Sequence, residues 1–213
     1  ADWLNTFDKR DTKNDKFYLA NNQGTIDVPM MSMYNNKLFV ADHQDFTAVK
    51  LMYKGKKWSM LLFLPKVNQA SESNLNKLKS ALNSRVVNDL YFANKEVEML
   101  TLPRFKAEYE TVLNDALKNM GADHMFQGGF TDMVANATDI HVESVFHKAV
   151  IEVNEEGTEA AAVTAIEMAF GSYTEKEEKP LVIEFNRPFI YMVRHEVTGI
   201  VTFMGTMYQP NVE

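Results

Sequence analysis

The sequence predicts a mixed α+β fold, rich in antiparallel strands with a few short helices. Three observations carry this expectation. Apolar runs with strand character recur from Ala48 to Met207, while helical three- and four-residue spacing appears only around residues 71–93 and 111–120. Strands and helices do not alternate strictly, as a doubly wound sheet would require. No internal repeat and no phosphate-binding glycine loop is present.

Each element follows in order. Residues 1–24 are polar, with Asp8–Lys16 read as a solvated charge run and Asn21-Asn22-Gln23-Gly24 as a turn. Thr25–Met33 resumes with β-branched and apolar residues around Pro29, which predicts an edge strand or a bend. The clearest hairpin joins Ala48–Tyr53 to Trp58–Leu64 through Lys54-Gly55-Lys56-Lys57. Val49, Leu51 and Tyr53 share one face, and Trp58, Met60, Leu62 and Leu64 another. The second run is apolar on both faces, so it should be a central strand ending at Pro65. Leu75, Leu78, Leu82 and Val86 then mark an amphipathic helix, broken in two near Asn83-Ser84. Val97–Glu108 returns to strand. Thr111–Met120 reads as a short helix with Val112, Leu113, Ala116, Leu117 and Met120 inward, capped by Gly121. Ile140–Val153 alternates as a long strand. Leu181–Phe185, Phe189–Val193 and Ile200–Met207 close the chain as strands.

Composition bounds the function. A length of 213 residues suits one large domain, or part of a larger one. The 22 basic against 29 acidic residues give a net charge of −7, which excludes the basic footprint of a nucleic-acid binder. No apolar run approaches the ~18 residues of a membrane span. The absence of cysteine removes disulfides, thiolate catalysis and Cys-ligated zinc. Ala1-Asp2-Trp3-Leu4 lacks the regions of a signal peptide, and without Met at position 1 the chain need not start where its gene starts.

Little points to catalysis. His141, Glu143 and His147 would share a strand face, but their spacing matches no familiar zinc pattern. A structural role for His147 within Val145–Val150 is the better reading. No Gly-x-Ser-x-Gly elbow occurs. Glu155-Glu156 and Glu177-Glu178 read as solvated pairs, and the 13 methionines as scattered core residues.

The segment Glu155–Phe170 is legible in two ways. Its Ala and Glu content favours a helix. On a period of two, Thr158, Ala160, Ala162, Thr164, Ile166, Met168 and Phe170 form one uncharged face. Glu159 and Glu167 fall on the other. The segment therefore also suits a strand, and small residues near Thr158 would ease its entry between existing strands.

These residues resemble a serpin, a family of serine-protease inhibitors with a reactive loop. Glu155-Glu156-Gly157-Thr158-Glu159-Ala160-Ala161-Ala162 resembles the hinge of inhibitory members. Phe185-Asn186-Arg187-Pro188-Phe189 with Phe203-Met204-Gly205 and Pro210 resembles the C-terminal signature. Val28-Pro29-Met30-Met31, Phe63-Leu64-Pro65, Leu102-Pro103-Arg104-Phe105, His147-Lys148-Ala149, and Trp3, Phe7 and Thr12 fall in family order. The match implies a serpin-like multi-sheet fold, with residues 1–213 as the C-terminal part of one serpin domain. The N-terminal half would be missing. Uncovered sheet edges and core faces then predict poor solubility alone.

The resemblance implies a protease inhibitor rather than an enzyme, working without a cofactor or metal. A loop over about 157–180 would be bait. A protease serine, or a cysteine, would form an acyl-enzyme before the hinge inserts into the large sheet. Counting from Gly157 gives Gly171-Ser172 as the reactive bond, with Phe170-Gly171 one step away. The absence of Arg and Lys from Gly157 to Glu175 puts chymotrypsin-like and elastase-like targets ahead of trypsin-like ones. Trp3, Arg104, Glu155 and His147 would control entry to the sheet. Arg104 should pair with Glu155, and His147 should be buried in mid-strand with its usual partner missing. Partners would be the protease and the absent half, with no nucleic acid and no membrane, in an extracellular setting. A non-inhibitory chaperone or carrier, or an inactive fragment, is the alternative.

Overall fold

The computed structural model describes residues 1–66, 70–128, 130, 140–158 and 180–211. It divides into two compact units, Ala1–Lys106 with Glu152–Glu213, and Ala107–Ile151.

The first unit is built on an eight-stranded sheet. Its strands are β1 (Lys13–Tyr18), β2 (Thr25–Asp42), β3 (Phe46–Met52), β4 (Trp58–Pro65), β5 (Ala93–Pro103), β8 (Val182–Glu184), β9 (Phe189–His195) and β10 (Val201–Met207). The order is β10-β9-β4-β3-β2-β5-β8, with β1 paired to the start of β2. Every pairing is antiparallel except β5 with β8.

The predicted hairpin is β3–β4, in register from Phe46↔Pro65 to Met52↔Ser59. Its turn places Gly55 and Lys56 at φ 80° and 56°, the left-handed region that glycine enters most freely. β4 is central, as its two apolar faces require: β3 and β9 flank it, and Ser59–Pro65 are buried throughout. Pro29 lies inside β2, paired with Asn14 of β1. β2 changes partners there, from β1 at Thr25–Met30 to β5 at Met30–Val40. The carbonyl of Pro29 accepts from Arg104 N–H at 2.8 Å, just beyond the β5 ladder. The missing proline N–H therefore faces the end of that ladder, where it costs no rung. The charge run Asp8–Lys16 is solvated as expected over Lys13–Lys16, and these residues also form a strand. Lys13–Tyr18 pairs with β2 and turns Phe17 fully inward.

One sheet face is covered by two helices, α1 (Glu72–Ala81) and α2 (Ser84–Asp89). Ser71 and Asn83 start them, each accepting a hydrogen bond from a backbone N–H of the first turn. Leu75, Leu78 and Val87 pack on Ala48, Leu61, Phe63, Ile190 and Met192. Fully burying such a side chain is worth roughly 1.5–3 kcal/mol. Elsewhere in the unit Phe105, Phe185, Phe189 and Tyr191 form a chain of ring contacts at 5.2–6.0 Å. Gly205 stands opposite Tyr191 in the β9–β10 register, and a Cβ there would collide with the tyrosine ring. On β10, Phe203 and Met204 are exposed.

The second unit holds most of a two-stranded sheet, β6 (Phe105–Val112) with β7 (Phe146–Val153), and the helix α3 (Asn114–Asn119). Here three expectations are corrected. The helix starts only after Val112, which belongs to β6, and it buries no residue, so its apolar positions do not face inward. Met120 lies 82% exposed. Gly121 does follow the helix at φ 91°, donating to Lys118 O at 2.9 Å. The strand expected from Ile140 starts at Phe146. Residues 140–145 are irregular, because the Asn114 side chain bonds Glu143 O and Val145 N–H, while Val142 N–H turns to Met125 O. His141 is therefore not on the strand with His147. Among the described residues no group of three or more acidic or histidine side chains is placed to hold a metal ion.

Candidate functional site

Five sequence-predicted residues of the first unit converge: Trp3, Arg104, Glu155, Gly157 and Thr158. Their meeting point is a tight turn, Asn154–Gly157, at the end of β7. Asn154 N–H donates to Gly157 O at 3.0 Å, and its side-chain oxygen accepts from the N–H groups of Glu156 and Gly157 at 3.0 and 3.2 Å. This is the self-bonding for which asparagine is favoured in turns.

The residues before the turn place a carboxylate inside. Glu155 is 2% exposed, and its Oε1 accepts from Arg104 and from Thr12 Oγ1, both at 2.6 Å. Burial pushes the Glu155 carboxyl up. The hydrogen bonds from Arg104, Thr12 and its own backbone N–H, with the guanidinium charge, outweigh burial and hold it below the ordinary glutamate range. Arg104 is carried here because β5 ends at Pro103 and β6 starts at Phe105, leaving it at the junction. Outside, Glu156 pairs with Lys9 at 2.6 Å and Asp2 with Lys54 at 3.1 Å.

Trp3 locks the turn from the other side. It is fully buried, its indole N–H donates to Asn154 O at 2.9 Å, and its backbone N–H donates to Glu156 O at 2.9 Å. Its ring stacks on Tyr53, centroids 4.6 Å apart and planes 9° from parallel. The Tyr53 hydroxyl and Thr158 Oγ1 share a hydrogen bond of 2.6 Å. Burial pushes the Tyr53 phenol up to about 12, so it stays protonated at any physiological pH.

Thr158 is paired on both sides. It forms an antiparallel bridge with Val153, and its N–H donates to Ala1 O at 2.7 Å, while the Ala1 amino group donates back to Thr158 O. Asp2 bridges Gly157 in the same manner. A Cβ on Gly157 would lie 2.7 Å from Asp2 Cα, which explains the glycine by close backbone approach.

His147 does not have the buried environment expected of it. It lies on β7 in the other unit and is exposed, with its ring 6.5 Å from that of Tyr109. Among the described residues β7 pairs with β6 alone, and Phe146, Lys148 and Val150 beside it are exposed as well. Burial would need a further strand or layer against β7. Glu159, Ala160, Ala161 and Ala162 of the hinge, and Phe170, Gly171 and Ser172 of the expected reactive bond, lie outside the described residues.

Two members of the site, Tyr53 and Asn154, carry only weak functional signals in the sequence. Tyr53 reads as a strand residue, although a phenol closing an apolar strand face needs a partner for its hydroxyl. Asn154 carried a turn signal directly before the glutamates.

Residues 1–210 match the family model described as Serpin (serine protease inhibitor). The chain belongs to the serpin family. It is 34% identical to serpin-Z1C of Triticum aestivum over 218 residues, covering 98% of this chain and 53% of that one. A serine protease inhibitor of Cyanea capillata is 30% identical, covering 98% and 54%. The structure of native protease nexin-1 with heparin superposes with a TM-score of 0.79 at 27% identity, covering 98% and 54%. Human thyroxine-binding globulin complexed with thyroxine does so with a TM-score of 0.79 at 26%, covering 100% and 54%. This serpin chain thus spans about half the length of these relatives, and its fold is the serpin-like α+β arrangement expected.

Proposed function

We propose that residues 1–213 are the C-terminal part of a single protease-inhibiting serpin domain, whose reactive loop spans about 157–180. One observation carries the reading. Thr158 is already paired on both sides, hydrogen-bonded to Ala1 and bridged to Val153, and the small residues Ala160–Ala162 follow after Glu159. A strand entering the sheet would continue from that point.

In the proposed reaction the chain supplies a substrate and no catalytic group. A protease serine attacks the carbonyl of the reactive bond, at Gly171-Ser172 or Phe170-Gly171. The bond breaks, the new amine leaves with Ser172 or Gly171, and the acyl-enzyme remains on the hinge side. Insertion of Thr158, Ala160 and Ala162 with their faces inward then carries the protease away before water can complete hydrolysis. Trp3, Arg104 and Glu155 hold the turn from which insertion starts, and His147 would act once the rest of the domain covers β7. Chymotrypsin-like and elastase-like serine proteases fit the loop, acting outside the cell. The exposed Phe203 and Met204 suit contact with the N-terminal half of the domain.

A second reading, a non-inhibitory carrier, has one observation in its favour. Thyroxine-binding globulin superposes as well as protease nexin-1 does. Incubating the full-length serpin with chymotrypsin and with elastase separates the two. The inhibitory reading expects a covalent adduct that survives denaturing electrophoresis; loop cleavage with no adduct from either protease supports the carrier.

A further inference from the structure

We propose that Tyr34, Met99 and Val182 form a docking row for the body of the target protease, beside the root of the reactive loop and apart from the bait residues. This rests on the inhibitory reading above and adds to it a second contact, one that sets which proteases reach the loop fast.

The row follows from strand register. Tyr34 of β2 stands opposite Met99 of β5, and Met99 stands opposite Val182 of β8. Directly opposed residues share a sheet face, so the three side chains stand side by side across three strands. The other face of these strands is core, with Met33, Leu100 and Ile183 buried. On the row's own face, Ser32 and Thr101 one step along are buried too. The face opens at the row itself, where Tyr34 is 46% and Val182 44% exposed and Met99 is half-buried.

The row is held by backbone bonds on both sides. Tyr34 O accepts from Asn36 Nδ2 at 2.8 Å across Asn35, which sits at φ 50°. Asparagine tolerates this left-handed conformation better than most residues. On the β8 side, Glu98 N–H donates to Leu181 O at 2.9 Å, directly before Val182.

The occupant follows from the chain. Val182 opens β8 just past the loop, eleven residues after Gly171, and an extended chain of that length spans at most about 40 Å. A globular protease of about 220 residues has a radius of gyration of about 17 Å, hence a width of about 44 Å. A protease gripping the reactive bond is thus held within its own width of the row. Tyrosine, with an apolar ring and a polar tip, suits such a contact. Glu184 is exposed two residues along β8 on the same face. The partner patch that fits is therefore apolar with a basic residue at its edge.

The test reads docking and trapping separately in the full-length serpin, with chymotrypsin and with elastase. Tyr34→Ala and Val182→Ser should each lower the second-order rate of loop attack, counted as adduct plus cleaved product, about five- to thirtyfold with at least one of the two proteases. That is the range for losing a central contact residue. The ratio of adduct to cleaved product should not change, because docking precedes the partition. Tyr91→Ala, which removes an exposed tyrosine ahead of β5, should leave the rate at wild type. Unchanged rates in both row variants, an equal loss in Tyr91→Ala, or a loss accompanied by an altered ratio or a lower melting temperature would each overturn the docking role. Absence of any wild-type adduct would overturn the inhibitory reading alone, since total loop cleavage still reports docking. A loop that neither protease attacks would overturn both.

Discussion

Arg104 places its guanidinium 2.6 Å from the carboxylate of Glu155, which is almost fully buried while the arginine side chain is half exposed. The pair thus joins the β5–β6 junction to the turn after β7. Its worth exceeds that of a surface ion pair, because removing the arginine leaves the buried Glu155 carboxylate without its cation. Arg104→Ala should cost about 2 kcal/mol. Denaturant unfolding should show a lower midpoint with an unchanged slope. An unchanged midpoint would mean that the pair is only a surface contact.

The same pair makes stability depend on pH. The Glu155 carboxyl titrates below its ordinary value of 4.5 in the folded chain. Its contribution is therefore complete above that value and is lost as pH falls through the depressed folded value. The gap in melting temperature between wild type and Glu155→Gln should be widest at neutral pH and close below about pH 4.5. A gap that stays constant down to acid pH would show that the charge of Glu155 is not what matters.

Gly157→Ala should destabilise the turn, since the added methyl meets the backbone of Ala1 and Asp2. The expected loss is about 1–3 kcal/mol, the usual cost of overpacking. It should be accompanied by faster exchange of the Trp3 amide, whose hydrogen bond to Glu156 O spans the same gap. Protection of Trp3 equal to wild type would contradict the close approach.

Lys50 offers an independent check on the other sheet face. Its ammonium sits 3.0 Å from Glu196, which also accepts from Ser59 at 2.7 Å, and lies over the rings of Phe39 and Phe92. Lys50→Met keeps much of the volume and removes the charge. A loss of about 1–2 kcal/mol is expected from the missing hydrogen bond and cation–π contact. Calorimetry showing a gain instead would mean that desolvation of this pair outweighs its attraction.

Thr158→Arg should turn the full-length serpin from inhibitor to substrate. The guanidinium would fall on the inner face of the entering strand, where it has no partner. Insertion would slow while acylation continued, so gels should show cleaved serpin and free protease in place of the adduct. Full adduct yield would contradict the inward facing of Thr158.

Much of this was legible in the sequence, for physical reasons that differ by element. The β3–β4 hairpin and the split helix pair were readable because their apolar periods and caps are local. The Arg104–Glu155 pair was readable only through family resemblance, since 51 residues separate its members. Tyr53 and Thr158 are 105 positions apart, and nothing local marks them as partners. His147 failed in the opposite way. Its apolar neighbours Val145, Phe146, Ala149 and Val150 signal burial, but burial needs a covering layer, and none stands over it among the described residues.

The central claim is that the hinge is built to enter the sheet. The most direct measurement is the melting temperature of the full-length serpin before and after a single cut in the loop near Gly171. Release of the loop should let Thr158, Ala160 and Ala162 complete a new central strand, so the cut protein should melt well above the intact one. A cut protein that melts at the same temperature or lower would contradict insertion.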